Sequence, residues 1–356
     1  ALVFLVRYVI IIVDIRNWFA LVVLVAGVPT QANDLASIGR ALFFDPNLSL
    51  NRTQACASCH NPAVAFTDSR ENHVDSAVSL GDDGMSLGDR NTPTIAYASL
   101  IPEFGKDETG VFSGGLFLDG RARNLAEQAA EPFTNPIEMN LPDIAAVVER
   151  VRQNPNYADL FEAYFGADIF VNDEKAFKAI RAGIVAYEHT REFVSFDSKY
   201  DRYLRGEYKF TAEEELGRKL FYSQLFNCHE CHLKDQRELH ENEPFSTYRY
   251  FNIGLPVNSK VRAKNGLGMS HVDRGLHENP RIDDSAQAGK FKVPTLRNVA
   301  VTAPYMHNGI FAKLETAVLF YNRFVLTSEE SQINPETGKR WREPEVPDTV
   351  DLALLQ

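Results

Sequence analysis

The four cysteines of this 356-residue chain fall into two copies of one pattern. Cys56-Ala57-Ser58-Cys59-His60 and Cys228-His229-Glu230-Cys231-His232 both read C-x-x-C-H. Two thiols at that spacing can add to the two vinyl groups of one haem, and the imidazole that follows can then reach the iron. The pattern predicts two covalent c-type haems, with His60 and His232 as proximal iron ligands. A tetrahedral zinc site built from all four thiolates and a redox dithiol are the competing readings. Neither needs a His directly after each cysteine pair.

Elements must bring these motifs into place, and the bulk of the chain limits what they are. The length fits two domains, and 44% apolar residues suffice for real cores. A formal charge of −11 argues against a nucleic-acid partner, and it would steer a basic electron-donor protein toward the chain. Residues 1–32 are read as a secretory signal peptide: an apolar Trp18–Val28 core, too short to span a bilayer, then Pro29-Thr30-Gln31-Ala32 as the cleavage region. Val13 is read as the true start, which makes residues 1–12 a gene-model artefact. Export agrees with the haem motifs, because bacteria form thioether bonds to haem outside the cytoplasm. The expected location is therefore the periplasm, with no membrane span in the mature chain.

Gly39-Arg40-Ala41-Leu42-Phe43 precedes the first motif and Gly217-Arg218-Lys219-Leu220-Phe221 the second, an internal repeat. The fold class read from this is mainly α: two cytochrome c-like helical domains, each around one covalent haem, spanning 33–195 and 196–356. Residues 67–90 are polar and rich in Gly and Asp, which predicts a mobile surface loop. Apolar spacing predicts helices from Leu125 and at about 143–153, 157–165, 173–193 and 313–325. Residues 254–290 and the proline-containing tail read as loops. Asp351–Gln356 reads as the start of an element, where a fragment would stop.

The paired motifs, with Asp119-Gly120-Arg121-Ala122, Gln128 through Glu138, Val293–Asn298 and Thr302–Gly309, make residues 35–350 resemble the bacterial di-haem cytochrome c peroxidases, including their MauG branch. The resemblance implies two cytochrome c-like domains with one calcium ion between them. The haem on His60 would be the peroxide-reacting one and that on His232 the electron-handling one. The second haem's other axial ligand, by family register, falls fourteen residues after His307, at Tyr321, where ordinary peroxidases carry Met and the MauG branch Tyr. Met306 is the rival ligand, and a Tyr on an apolar helix face is more commonly a core residue. Leu314, Ala317, Val318, Tyr321 and Val325 are expected on one helix face. A hard phenolate favours Fe(III) and higher states, whereas a thioether favours Fe(II).

The same resemblance assigns Glu138 as the acid/base carboxylate of the first haem's distal pocket, Gln128 as its partner amide, and Pro132 as the residue crowding the sixth position. His73 lies in the loop that carries a blocking His in ordinary peroxidases, but its spacing does not match, and it is read as a surface residue. Asn91, Thr302 and Pro304 match the calcium positions, and His307 a structural or electron-path residue near the second haem. Two positions depart from the family: Leu118 and Phe226 stand where Trp is expected. Hole transfer must then use another route, such as Tyr222 or the haem edges.

The expected function is a periplasmic MauG-like di-haem oxidase. It would use hydrogen peroxide to form a high-valent di-haem state and oxidise Trp or Tyr on a partner protein. The first alternative is a di-haem peroxidase that reduces hydrogen peroxide with electrons from a small cytochrome c or cupredoxin. The second is a non-enzymatic di-haem electron-transfer cytochrome.

Overall fold

The computed structural model describes residues 32–155, 157–234 and 240–356. The predicted signal peptide lies almost wholly outside them. Fourteen helices are present among the described residues, most of them short. In chain order they are α1 (Ala32–Phe43), α2 (Cys56–Cys59), α3 (Leu125–Gln128), α4 (Glu131–Thr134), α5 (Ile144–Arg152), α6 (Ala158–Phe165) and α7 (Asp173–Glu188), then α8 (Lys199–Leu204), α9 (Ala212–Phe221), α10 (Cys228–His232), α11 (Ser259–Arg262), α12 (Leu314–Phe320), α13 (Asn322–Val325) and α14 (Leu352–Leu355). Strand is confined to three two-residue antiparallel ribbons: β1 (Gly105–Lys106) with β2 (Phe112–Ser113), β3 (Tyr250–Phe251) with β4 (Phe291–Lys292), and β5 (Ile333–Asn334) with β6 (Lys339–Arg340). The mainly helical expectation holds. No described helix is long and apolar enough to cross a membrane.

The largest core lies in the first half, where Ile38 and Leu42 of α1 meet Val147, Val148 and Val151 of α5, Phe161 of α6 and Ile180 and Ile184 of α7. Local chemistry sets the helix starts: the side chains of Asp143 and Asn172 accept the backbone N–H of Ala146 and Lys175 at the first turns of α5 and α7. Helices α1 and α7 cross at two glycines, and a Cβ on Gly39 would sit 1.8 Å from the Gly183 carbonyl oxygen. Helix α9 holds the matching Gly217, yet it buries no residue and Gly217 faces open space.

Four expectations are corrected. Helix α7 ends at Glu188 instead of continuing to 193, because the chain turns so that Phe193 can stack on Phe66 at 4.1 Å under the first haem motif. Segment 67–90 is no mobile surface loop. Val74, Ala77, Val78 and Leu87 are buried in it and pack with Val261 of the second half. Lys264 also donates to the His73 carbonyl at 3.0 Å. The helix expected over 313–325 breaks at Tyr321, which ends α12 and opens α13. Its apolar face is not shared as the spacing implied: Ala317 is buried, whereas Val318 and Val325 are exposed. The tail is more ordered than a loop, since β5 and β6 pair and Trp341 is buried.

Candidate functional site

Each haem motif forms a short helix that ends on its histidine, and each histidine is held in the same way. The Nδ1 atom of His60 lies 3.0 Å from the Phe66 carbonyl oxygen, and Nδ1 of His232 lies 3.0 Å from that of Phe245. A carbonyl only accepts, so Nδ1 carries the proton and Nε2 carries the lone pair. Burial lowers both imidazole pKa values, that of His232 to about 4, so both rings are neutral at pH 7. A neutral imidazole with its far nitrogen bare and its near nitrogen tied to a carbonyl is the form that binds a metal. The residues therefore fit the iron of two c-type haems.

The carbonyls are aimed by strained backbone. Phe66 and Phe245 have φ of 61° and 54°, in the left-handed region, at a cost on the order of 1–3 kcal/mol each. Hydroxyls hold the strained turns: Thr94 donates to the Ala65 carbonyl at 2.5 Å and Thr295 to the Pro244 carbonyl at 2.6 Å. These four residues were not singled out from the sequence. The signal was there, in Phe66-Thr67 against Phe245-Ser246 and Pro93-Thr94 against Pro294-Thr295.

The duplication extends to the other side of each site. Leu116 bridges to Ala122 and Tyr305 to Phe311, each across a tight turn. Phe117 and Gly120 in the first turn, and Met306 and Gly309 in the second, all have positive φ. A single offset in sequence carries one turn onto the other, and the same offset carries Leu118 onto His307, Leu125 onto Leu314 and Pro132 onto Tyr321. Pro132 sits in the first turn of α4 and Tyr321 at the break between α12 and α13.

Beside the first motif, the Glu138 carboxyl is buried and its pKa rises to about 7, through desolvation, with Arg121 pulling it back. Its charge acts on both the Cys56 and Cys59 thiols, which puts it next to the site. Its backbone is pinned by Asn135 and by Asp82, each at 2.8–3.0 Å. Gln128 ends α3 and Pro132 opens α4, one turn apart. Near the second motif, the Tyr321 phenol pKa rises far above its usual value, through desolvation and then the neighbouring Cys231 and Cys228. Burial lowers the His307 pKa to about 4, and its ring stacks on Phe291 at 3.6 Å.

Two features join the halves. Arg90, largely buried, donates to Asp119 at 2.5 Å and to Asp273 at 2.7 Å. A small, tight cleft is lined by Asp68, Ser76, Asn91, Thr92, Thr302 and Ala303, among others. The Asn91 Nδ2 donates to the Ala77 carbonyl and its backbone N–H to that of His307, which leaves Oδ1 as the free oxygen. Pro304 does not line the cleft. Among the described residues no group of three or more His, Cys, Asp or Glu could hold a metal, so a cation here would rely on amide, hydroxyl and carbonyl oxygens. At the two departing positions, Leu118 accepts from the Lys292 backbone N–H, and Phe226 is 40% exposed with its carbonyl 3.8 Å from the Cys228 thiol. His73 is exposed, as read.

A mainly helical chain with two such imidazole sites is a c-type di-haem protein. Comparison with known proteins gives the family. The model for di-haem cytochrome c peroxidase matches residues 33–209. The methylamine utilization protein MauG of Paracoccus denitrificans is 52% identical over 341 residues, covering 95% of this chain and 88% of that one. The cytochrome c551 peroxidase of Nitrosomonas europaea is 32% identical over 310 residues, covering 86% and 78%. The crystal structure of the diheme peroxidase BthA from Burkholderia thailandensis matches with a TM-score of 0.77 at 30% identity, covering 90% and 77%. The chain belongs to the di-haem cytochrome c peroxidase family, in its MauG-like branch, and is a di-haem oxidoreductase.

Proposed function

We propose that this chain is a periplasmic oxidase that reacts with hydrogen peroxide at the haem on His60. It then uses the haem on His232 to oxidise Trp or Tyr side chains of a partner protein. The observation that carries this reading is the repeat position of Tyr321. It occupies in the second half the place that Pro132 occupies in the first. Proline offers no donor atom, so it would crowd the sixth position of the first iron and leave it open to peroxide. Tyrosine offers a phenol oxygen and would fill the same position of the second. Met306 falls instead on the position of Phe117, which makes it the weaker ligand candidate.

The bound haems supply peroxide reduction and hold the oxidising equivalents. The chain's own groups do the rest. The Glu138 carboxylate would take the proton from one peroxide oxygen and return it to the other, and the Gln128 amide would orient the peroxide. The buried Tyr321 phenol keeps its proton until a cation binds its oxygen, so its ligation is tied to a ferric, electron-poor iron. The packing of 67–90 on Val261, with His73 outside, supports a first site that is open without prior reduction.

In this reading residues 33–195 form the peroxidatic cytochrome c-like domain and 196–356 the electron-handling one. Asn91 and Thr302, from the cleft lining, would hold one calcium ion between them, with the Pro304 carbonyl as a third ligand only if it turns toward the cleft, and a signal peptide over 1–32 would direct export. Full ferric protein mixed with about one equivalent of peroxide, without donor, tests the reading by optical and EPR spectra. Loss of both ferric signals into a lasting oxidised state is expected. A reaction that starts only after one haem is reduced would instead mean a peroxidase fed by a small cytochrome c or cupredoxin. A first haem with both axial positions filled would mean an electron-transfer cytochrome.

A further inference from the structure

Leu118 and Phe226 remove the indoles expected near the haems, yet one indole remains in the chain after residue 32: Trp341. It lies far along the sequence from either motif, in the strand-like tail, but the fold returns it to the second site. Its ring meets Phe320 edge-on at 5.3 Å, and Phe320 meets Tyr321 at 5.9 Å, also near-perpendicular. Phe311 closes the group, 5.7 Å from Trp341 and 5.5 Å from Phe320. The path from the Tyr321 ring to the indole is thus two ring-to-ring steps through side chains that are themselves hard to oxidise. Trp341 is 8% exposed. Its Nε1–H donates to the Ser331 carbonyl at 2.9 Å, which steadies positive charge on the ring without taking the proton. The neighbouring Lys339 and Arg340 are exposed, so water reaches the rim of the ring.

We propose that Trp341 is the internal electron source, and the modification site, of this chain when no partner protein is bound. This rests on the reading above, in which peroxide leaves the haem pair oxidised. The indole gives up two electrons through Phe320 and Tyr321 to the second haem, and so to the peroxide. One ring C–H bond breaks and one C–O bond forms with a water oxygen, and two protons leave. Together with peroxide reduction the balance is Trp plus hydrogen peroxide giving hydroxytryptophan plus water. A second round adds a second oxygen.

The test is peptide mass mapping of the ferric holoprotein after a few equivalents of peroxide without partner, with optical and EPR spectra recorded on the same sample. The expected result is loss of both ferric signals, slow return, and one or two oxygen atoms on the peptide that holds Trp341. In Trp341→Phe that mass gain should vanish and the return to the ferric spectrum should slow several-fold. If the ferric signals bleach and return while Trp341 stays unmodified and oxygen appears only on Met139 or Met306, the Trp341 proposal fails and the peroxide reading stands. If neither ferric signal changes, both fail. The native protein decides the question even if the variant does not fold.

Discussion

Glu138 offers the sharpest test of the chemistry, because its environment sets a pH at which the reaction must turn on. Burial raises its carboxyl from 4.5 to about 7, a shift worth about 3 kcal/mol against ionisation, with the Arg121 guanidinium opposing it. In the proposed reaction the group acts as a base, so only its ionised fraction would count. At pH 6 that fraction is about one-tenth, at pH 8 about nine-tenths. The rate of ferric-signal loss after peroxide should therefore rise about tenfold from pH 5 to 6, less steeply through pH 7, and level off above 8. Glu138→Gln should cut the pH 8 rate by about 10²–10⁴-fold, the usual worth of a positioned acid/base group, and flatten the profile. Arg121→Gln removes the group that holds the pKa down, so it should move the same limb to higher pH with the plateau retained. Stopped-flow spectra from pH 5 to 9 read all three. A native rate independent of pH over that range, or a Glu138→Gln profile with the native slope, would refute the assignment.

Other consequences are more quickly stated. Tyr321→Phe should abolish the lasting peroxide-oxidised state and raise the potential of the second haem, read by redox titration, because a hard anionic ligand is lost. Asn91→Ala should remove bound calcium, counted by metal analysis of the purified protein, and lose the side-chain bond to the Ala77 carbonyl while the backbone bond to His307 stays. Arg297 and Asp201 form a two-point ion pair at 2.6 and 2.9 Å with both side chains 4% exposed. Arg297→Met should cost about 3–5 kcal/mol in denaturant unfolding, since it strands a buried carboxylate. Glu188 is buried with Oε2 unpartnered, and desolvation raises its pKa from 4.5 to about 8. The folded state then holds a proton that the unfolded state releases above pH 4.5. Stability is full below that pH and falls as pH rises toward 8. Glu188→Gln should gain on the native protein across this window, by about 3 kcal/mol at pH 7.

What could be read from the sequence was the chemistry carried by residue identity and short spacing. Cys56, Cys59 and His60 needed no fold to be recognised, and neither did their second copy. The repeat before each motif was visible for the same reason, as side chains in a fixed local order. Geometry that depends on backbone was not visible. Phe66 and Phe245 act through carbonyls in left-handed conformations, and a Phe carries no sign that its carbonyl will be used. The 67–90 segment misled because its few apolar residues were judged by number, whereas Val74, Ala77 and Val78 found Val261 from the other half. Periodicity also overran Tyr321, since it registers apolar spacing and not the local 3₁₀ turn, where the Tyr321 N–H reaches Val318. The match of Pro132 with Tyr321 lay in the sequence throughout, but it emerged only when the paired turns showed where to align the halves.

The contrast between α1 and α9 bears on how the holoprotein is assembled. Helix α1 has its partner in α7, so the first half can hold its shape by side-chain packing around a large core before any thioether bond closes. Helix α9 has no comparable core among the described residues: Leu216 is 57% exposed and Gly217 uncovered, and the helix is tied down by Phe221 against Phe245 at 6.0 Å and by Glu214 against Lys199 and Tyr208. Its attachment rests in part on the turn that holds His232, since Phe245 carries the carbonyl that meets the His232 Nδ1. Haem loading should then affect the two units unequally, because the first has a large packed core beside its motif and the second a helix held by fewer contacts. In a preparation starved of haem, α9 amides should be the first to exchange with deuterium, while those of α7 stay protected.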